Sequence, residues 1–337
     1  MTPRPSILVT RAIFPDVLAR LSEHFEVESN QEDAMWSPGE LASKLADKVG
    51  AFMTGTERVD AALLSQCPGL RMCANMTVGY NNFDLQAMSA AGVLGSNAPD
   101  VLTETTADFG FALLLATARR LTESEHFLRA GKWKNWRYDM FSGVEVHGST
   151  LGILGMGRIG QAIARRASLG FGMQVVYHNR RQLDAATEAE LRANYVSKSE
   201  LLRQSDHLML VVPYSVESHH LIGASEIALM KPTATLINIA RGGVVDDAAL
   251  AVALREGRIA GAGLDVFEGE PNVQSALLDV PNVVLTPHIA SATARTRRAM
   301  ADLAVDNLMG YLLHGKAVTP LNAVEVLVAD RSGGGRT

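Results

Sequence analysis

The segment Gly155-Met156-Gly157-Arg158-Ile159-Gly160 constrains this chain more than any other. It follows the apolar β-type run Leu151-Gly152-Ile153-Leu154 and leads into a helical run from Gln161. Strand, glycine turn and helix in that order define a βα unit in which each glycine has its own work. Gly155 permits the tight turn, Gly157 lets backbone approach a ligand, and Gly160 lets helix and strand pack closely. Exposed N–H groups at the helix start then favour an anion such as a pyrophosphate. The context points to a dinucleotide site, with Arg158 and Ile159 on the turn that would face it.

Around this unit, short β-type runs alternate with helical ones. In the first hundred residues the strand candidates are 7–9, 25–27, 50–53, 70–73 and 93–94, with helical stretches at 14–25, 41–45 and 61–64. The second half carries strand candidates at 151–154, 175–177, 208–212, 235–239, 261–266 and 283–285, separated by helices at 161–167, 199–204, 227–230 and 248–256. Such alternation predicts α/β architecture with two doubly wound parallel sheets. The length of 337 residues fits two domains. The linker Ser96-Asn97-Ala98-Pro99-Asp100 separates them, Thr103 is a helix-capping residue, and 104–121 reads as one long buried helix. From Ser291 to Leu313 a final helix has Met300, Ala304, Leu308 and Leu312 on one stripe; it either lies across the seam or returns to the first domain. The glycine-rich residues 331–337 are expected to be a disordered tail.

The balance of 47% apolar and 20% charged residues is that of a folded chain, and a net charge of −5 argues against a nucleic-acid partner. No apolar run approaches the roughly 20 residues of a membrane span, and the start lacks a secretory apolar core, so no membrane partner and a cytoplasmic location are expected. Cys67 and Cys73 fit no zinc or redox spacing and read as free thiols; His219-His220 reads as surface rather than metal, so no metal is expected.

The strand after the glycine turn bears on which dinucleotide is bound. An NAD site usually has Asp or Glu about 20 residues on, to hold the ribose 2′-OH. Here Val175-Val176-Tyr177 ends in His178-Asn179-Arg180-Arg181. There is no carboxylate to repel a 2′-phosphate, and two guanidiniums are at hand to pair with one. NADP(H) is therefore the expected preference over NAD(H), although solvated loop charges would give the same letters.

Three ionisable residues stand past the ends of apolar strands: Arg241 after 236–240, Glu270 after 263–267 and His288 after 283–287. Parallel strands deliver all three to one sheet edge, the same edge on which the glycine turn opens. A guanidinium suits a substrate carboxylate, an imidazole can donate a proton near neutral pH, and a carboxylate can orient that imidazole. That set suits hydride transfer to a 2-oxo acid. Glu270 capping a turn before Pro271, and Arg241 paired with Asp246 or Asp247, are the structural alternatives.

The glycine turn, Asn238-Ile239-Ala240-Arg241-Gly242-Gly243, Gly263-Leu264-Asp265-Val266-Phe267-Glu268-Gly269-Glu270-Pro271 and Pro287-His288-Ile289-Ala290-Ser291 together resemble the D-isomer-specific 2-hydroxyacid dehydrogenases over about residues 7–320. Within that family the chain is most similar to glyoxylate/hydroxypyruvate reductases, with 2-ketogluconate reductases close behind. The resemblance implies a Rossmann-type cofactor domain (103–293) and a smaller, discontinuous flavodoxin-like substrate domain (1–102 and 294–330). It implies that Arg241 binds the substrate carboxylate and carbonyl, that His288 is the general acid and that Glu270 supports it. It also implies a homodimer, with Trp133 or Trp136 either at the partner's site or simply at the interface or in the core. Val78 and Gly79 would hold the substrate carboxylate through their amides, and Asp265 the nicotinamide carboxamide. Val212, Pro213, Ala240 and Ala290 match further cofactor positions; Ala290 departs from the family's usual glycine. The implied reaction is reduction of short 2-oxo acids such as glyoxylate and hydroxypyruvate to D-2-hydroxy acids. A non-catalytic, cofactor-sensing corepressor is the alternative from another class, and formate chemistry is disfavoured because no Gln accompanies His288.

Overall fold

The computed structural model describes residues 4–324. Residues 325–330 of the expected substrate domain and the expected tail 331–337 lie outside the described residues. The chain divides into two compact units, one formed by residues up to Leu102 together with those from Thr293 onwards, the other Thr103–Ala292.

In the first unit five parallel strands, β1 (Ser6–Val9), β2 (Glu26–Ser29), β3 (Gly50–Met53), β4 (Met72–Asn75) and β5 (Leu94–Ser96), lie in the order β2-β1-β3-β4-β5. This is the flavodoxin-like order. Ile7, Leu8, Ala51, Phe52, Met72 and Cys73 have no solvent exposure, as expected where helices cover both faces of a parallel sheet. One cover is the helix Ala294–His314, packed on β3 and β4. A Cβ at Gly50 would lie 2.7 Å from the Leu312 side chain and 3.4 Å from Leu308, so glycine there admits the helix. Arg20 pairs with Asp302 at 3.3 Å and Asp306 at 2.5 Å, and buried Asn307 accepts the amides of Val318 and Thr319. The terminal helix thus belongs to the first unit.

Seven parallel strands build the second unit: β6 (Thr150–Leu154), β7 (Gln174–His178), β8 (Ala193–Tyr195), β9 (His207–Leu210), β10 (Thr235–Asn238), β11 (Gly261–Leu264) and β12 (Val283–Leu285). Their order is β12-β11-β10-β9-β6-β7-β8. This is the doubly wound dinucleotide-binding order with an added edge strand, and the strand order reverses between β6 and β9. The helix Thr103–Ala118 packs against β10, β11 and β12.

Two expectations change in detail. The helix foreseen over 104–121 stops at Ala118, because Arg120 adopts a left-handed φ of 51°; a second helix, Leu121–Arg129, follows. The sheet has a seventh strand, β8, in the short and unremarkable run Ala193-Asn194-Tyr195. Cys67 and Cys73 are free and buried. Among the described residues no helix is long and apolar enough to cross a membrane.

Candidate active site

The glycine turn follows β6 at the reversal point. Gly155 has φ +104°, and a Cβ there would lie 2.8 Å from the backbone at Val211 and Val212, just past β9. A Cβ at Gly160 would strike the Gly155 carbonyl, whereas one at Gly157 meets nothing within 4 Å. The first and third glycines therefore let backbone meet backbone, while the second leaves an open face before the helix Arg158–Arg165. Arg158 is exposed and Ile159 half-buried. A dinucleotide pyrophosphate fits this cradle by shape and by helix polarity.

At the end of β7, Asn179 is tied into the turn: its Oδ1 accepts the Met156 amide at 2.7 Å, and its carbonyl accepts the Tyr195 hydroxyl at 3.1 Å. Arg180 and Arg181 beyond it are exposed. Val212 is half-buried and Pro213 exposed, in the segment that meets Gly155.

The three ionisable residues come from the neighbouring strands β10, β11 and β12. At the end of β10, Asn238 Oδ1 accepts the Ala240 amide at 3.0 Å and its Nδ2 donates to the Arg241 carbonyl at 3.3 Å. Ala240 is buried, and Arg241 Nη1 donates to its carbonyl at 2.8 Å. A Cβ at Gly242 would collide with the Phe267 carbonyl, so this segment touches the one after β11 backbone to backbone. Burial pushes the Arg241 guanidinium down from its usual value, with the charge of Glu270 opposing; starting so high, it stays cationic at neutral pH.

Glu270 uses both oxygens. Oε1 accepts the Phe267 amide at 2.9 Å and Oε2 lies 2.8 Å from His288 Nδ1. Turn closure and support of the imidazole are thus simultaneous. Burial pushes the Glu270 carboxyl up, but His288, the Phe267 amide and Arg241 outweigh it and hold it below the usual range. Asp246 and Asp247 are engaged elsewhere, capping Ala249 and accepting the Glu268 amide.

His288 sits at φ +53°, a left-handed conformation that costs free energy in any residue but glycine. Asp265, at the end of β11, holds it there. Its carbonyl accepts the His288 amide at 2.9 Å; Oδ1 accepts the Thr286 hydroxyl at 2.7 Å and the Ile289 amide at 2.8 Å, and Oδ2 the Ala290 amide at 2.9 Å. Asp265 is fully buried, and burial raises its pKa despite these donors. The sequence alone singles out neither Asn238 nor Thr286, and offers Asp247 only as a partner for Arg241; their signal lies only in their places at or just after strand ends or at a helix start.

With Nδ1 engaged by a carboxylate, Nε2 is the nitrogen left to deliver a proton, and Arg241 supplies a fixed positive charge past β10, two strands along the sheet from β12. His219, His220 and Glu268 also bring donor atoms within 4.8 Å of one another. Their imidazoles are stacked with centroids 3.9 Å apart, so ring-plane lone pairs run alongside one another rather than converging.

Val78 and Gly79 lie in the first unit. The carbonyl of Thr77 accepts the Ala98 amide, and that of Val78 the Asn97 Nδ2 at 2.7 Å. Because carbonyl and N–H of one peptide point oppositely, the amides of Val78 and Gly79 are turned away from those anchors. A cavity of about 300 Å³ in the same unit, lined by Arg11, Met35, Trp36 and Glu57 among others, includes none of the predicted site residues.

Residues 111–290 match the family described as "D-isomer specific 2-hydroxyacid dehydrogenase, NAD binding domain". A glyoxylate reductase of Thermococcus gammatolerans is 47% identical over 312 residues, 91% of this chain and 93% of that one. An NADPH-dependent glyoxylate/hydroxypyruvate reductase of Sinorhizobium meliloti superposes with a TM-score of 0.83 at 40% identity, covering 94% of this chain and 98% of the other. A D-mandelate dehydrogenase of Rhodotorula graminis gives a TM-score of 0.85 at 30% identity, over 96% of this chain and 99% of the other. The two-sheet α/β fold agrees with this likeness, and the chain belongs to the D-isomer specific 2-hydroxyacid dehydrogenases.

Proposed function

We propose that this NAD(P)-dependent oxidoreductase reduces glyoxylate and hydroxypyruvate to glycolate and D-glycerate, preferring NADPH. The observation that carries the reading is the 2.8 Å pair of His288 with Glu270, whose carboxylate feels the charge of half-buried Arg241. The relatives named above as glyoxylate or glyoxylate/hydroxypyruvate reductases supply the substrate class.

The nicotinamide cofactor, when bound, supplies the hydride that adds to C2 of the oxo acid. Arg241 binds the substrate carboxylate and polarises the C2 carbonyl through paired N–H donors. His288 passes its Nε2 proton to the carbonyl oxygen as that oxygen gains charge, giving the alcohol and leaving a neutral imidazole. Glu270 stabilises the imidazolium before transfer. Residues 103–293 act as the cofactor domain: Gly155, Gly157, Arg158, Ile159 and Gly160 cradle the pyrophosphate, and Val212, Pro213, Ala240 and Ala290 border the cofactor. Residues 1–102 and 294–330 act as the substrate domain, in which the Val78 and Gly79 amides suit a carboxylate. We assign Asp265 to holding the His288 turn as well as bordering the carboxamide. Asn179, Arg180 and Arg181 face the adenosine 2′-phosphate. A solved S. meliloti relative is described in complex with NADP and malonate, which accords with that choice.

Trp133, Trp136 and Tyr138 are 54%, 75% and 86% exposed, and we assign this aromatic stretch to a homodimer face. Two free buried thiols fit a reducing compartment, and the cytoplasm is the location we assign.

The test is a panel of glyoxylate, hydroxypyruvate and 2-ketogluconate with NADPH and NADH, with product configuration determined. Fastest turnover of the first two with NADPH, giving D-glycerate from hydroxypyruvate, supports the proposal. Preference for 2-ketogluconate, an L product, or no turnover of any 2-oxo acid overturns it.

A further inference from the structure

Glu270 is carried on a short irregular segment after β11, and its partner His288 is held independently by Asp265. Something must therefore hold the Glu270 segment against the site. Its amides are anchored at two points: Phe267 donates to Glu270 itself, and Glu268 donates to Asp247 Oδ2 at 3.0 Å. Asp247 is 4% exposed and opens the helix Asp247–Arg255, so that anchor is rigid. The Glu268 side chain reaches the other way, to His220 Nε2 at 2.9 Å.

His220 is built for this contact. It sits at φ +49°, and its amide donates to the Gly243 carbonyl at 2.7 Å, two residues beyond Arg241. Its ring stacks on His219, whose Nδ1 lies 3.1 Å from the Tyr214 hydroxyl. Asp246 Oδ2 stands 4.0 Å from the second ring nitrogen of His220. One residue thus touches the segment after β9, the segment bearing Arg241 and the segment bearing Glu270. A strained backbone and a stacked, doubly flanked ring exceed what a solvated surface histidine requires.

We propose that His220 is a positioning residue: through its 2.9 Å contact with Glu268 it latches the 267–270 segment and so keeps Glu270 within reach of His288. The inference rests on the catalytic reading of Glu270 and His288 and adds to it a residue with no contact to the reacting atoms. Both partners are partly exposed, so the effect is that of a surface pair amplified by geometry, not of a buried charge.

The test uses the full chain as His220→Ala, Glu268→Ala, the double variant and His220→Gln, which keeps a donor near the Nε2 position. Two measurements are made: amide hydrogen exchange over residues 265–272, and kcat and KM with glyoxylate and NADPH. Faster exchange at Phe267 and Glu268 in each single variant is expected, with kcat about three- to fivefold lower and both KM values little changed. The double variant should be no worse than the more affected single one, and His220→Gln should recover part of the loss. Unchanged exchange in a folded His220→Ala protein overturns the latch, as do additive losses or a rise in the cofactor KM at full kcat. The exchange arm is independent of turnover. An inactive wild type with a loosened segment in the variants would overturn the substrate reading and leave the latch standing.

Discussion

Asp265 grips the turn that carries His288 from two directions. Its carbonyl takes the His288 amide at 2.9 Å, and its carboxylate takes the amides of Ile289 and Ala290 on the far side. The imidazole is aimed by a buried carboxylate that need not touch substrate. In Asp265→Asn the new amide nitrogen must face an N–H donor, leaving one buried group without a partner, which costs about 1–3 kcal/mol. Denaturant unfolding should show that loss, and kcat should fall by about tenfold or more as the His288 turn relaxes. Wild-type kcat and stability in this variant would show that the turn holds itself.

Arg241 and His288 should fail differently. Removing the cation in Arg241→Ala takes away substrate binding and orientation, so KM for the oxo acid should rise along with a drop in kcat. His288→Ala removes the proton donor, and kcat should fall by about 10²–10⁴-fold with a much smaller change in KM. Steady-state kinetics on both variants checks this. Near-normal kcat/KM in either removes that residue from its role.

Much of the candidate site is legible in the sequence because Arg241, Glu270 and His288 follow strands whose apolar runs are unmistakable. A parallel sheet turns "after β10, after β11, after β12" into "on one edge" without further information. The glycines were legible for a similar reason: Gly155 and Gly160 are forced by backbone contact. What stayed hidden was held by tertiary geometry. Nothing local marks Asp265 as the clamp on a left-handed His288, since its partners lie 21–25 residues away. The strand β8 escaped because Ala193-Asn194-Tyr195 is an edge run with only one fully apolar, buried side chain. The break after Ala118 escaped because Arg120 is an ordinary helix former; only its left-handed φ ends the helix.

Glu270→Gln isolates the charge of the pair. In the folded protein the Glu270 carboxyl is held below its ordinary value, so its pairing contributes stability above the unfolded carboxyl's pKa, near 4.3, and loses it as pH falls through the lower folded value. The neutral amide removes that acid-side dependence. It also replaces the oxygen 2.8 Å from His288 Nδ1 with part of a neutral amide, so kcat should fall by about tenfold or more as the imidazole loses its orienting partner. Wild-type kcat in this variant would take Glu270 out of the proton-delivery unit.

Cofactor choice should turn on the end of β7. Arg180→Ala removes an exposed guanidinium beside the Asn179 cap of the glycine turn. A phosphate contact of this kind is worth about 1.5–3 kcal/mol when charge-assisted. The NADPH kcat/KM should therefore drop roughly ten- to hundredfold while the NADH value holds. Equal losses with both cofactors would show that the residue supports the loop rather than reading the 2′-phosphate.

His207 should make the second unit sensitive to mild acid at a place remote in sequence from the candidate site. It is fully buried at the start of β9, with Nδ1 2.8 Å from the Thr235 hydroxyl and Nε2 3.0 Å from the Glu145 carbonyl. Burial lowers its pKa; the Glu145 contact and the Asp206 charge oppose this, and Lys231 adds to it. A depressed folded value means that the unfolded chain binds the proton more tightly. Stability is therefore full above the unfolded imidazole's pKa, near 6.5, and declines below it by up to about 1.4 kcal/mol per pH unit until the folded value is reached. The neighbouring Asp206 carboxyl is pushed up by burial, but Lys231 and the Thr150 amide hold it below its ordinary value. Its own loss comes only at lower pH, below about 4. In His207→Gln the side-chain amide can still donate to the Glu145 carbonyl, yet nothing titrates near neutrality. Unfolding free energies measured between pH 7 and pH 5, a range chosen to span roughly that histidine window, should fall in the wild type and stay nearly flat in the variant. Parallel slopes for the two proteins would place the acid sensitivity elsewhere.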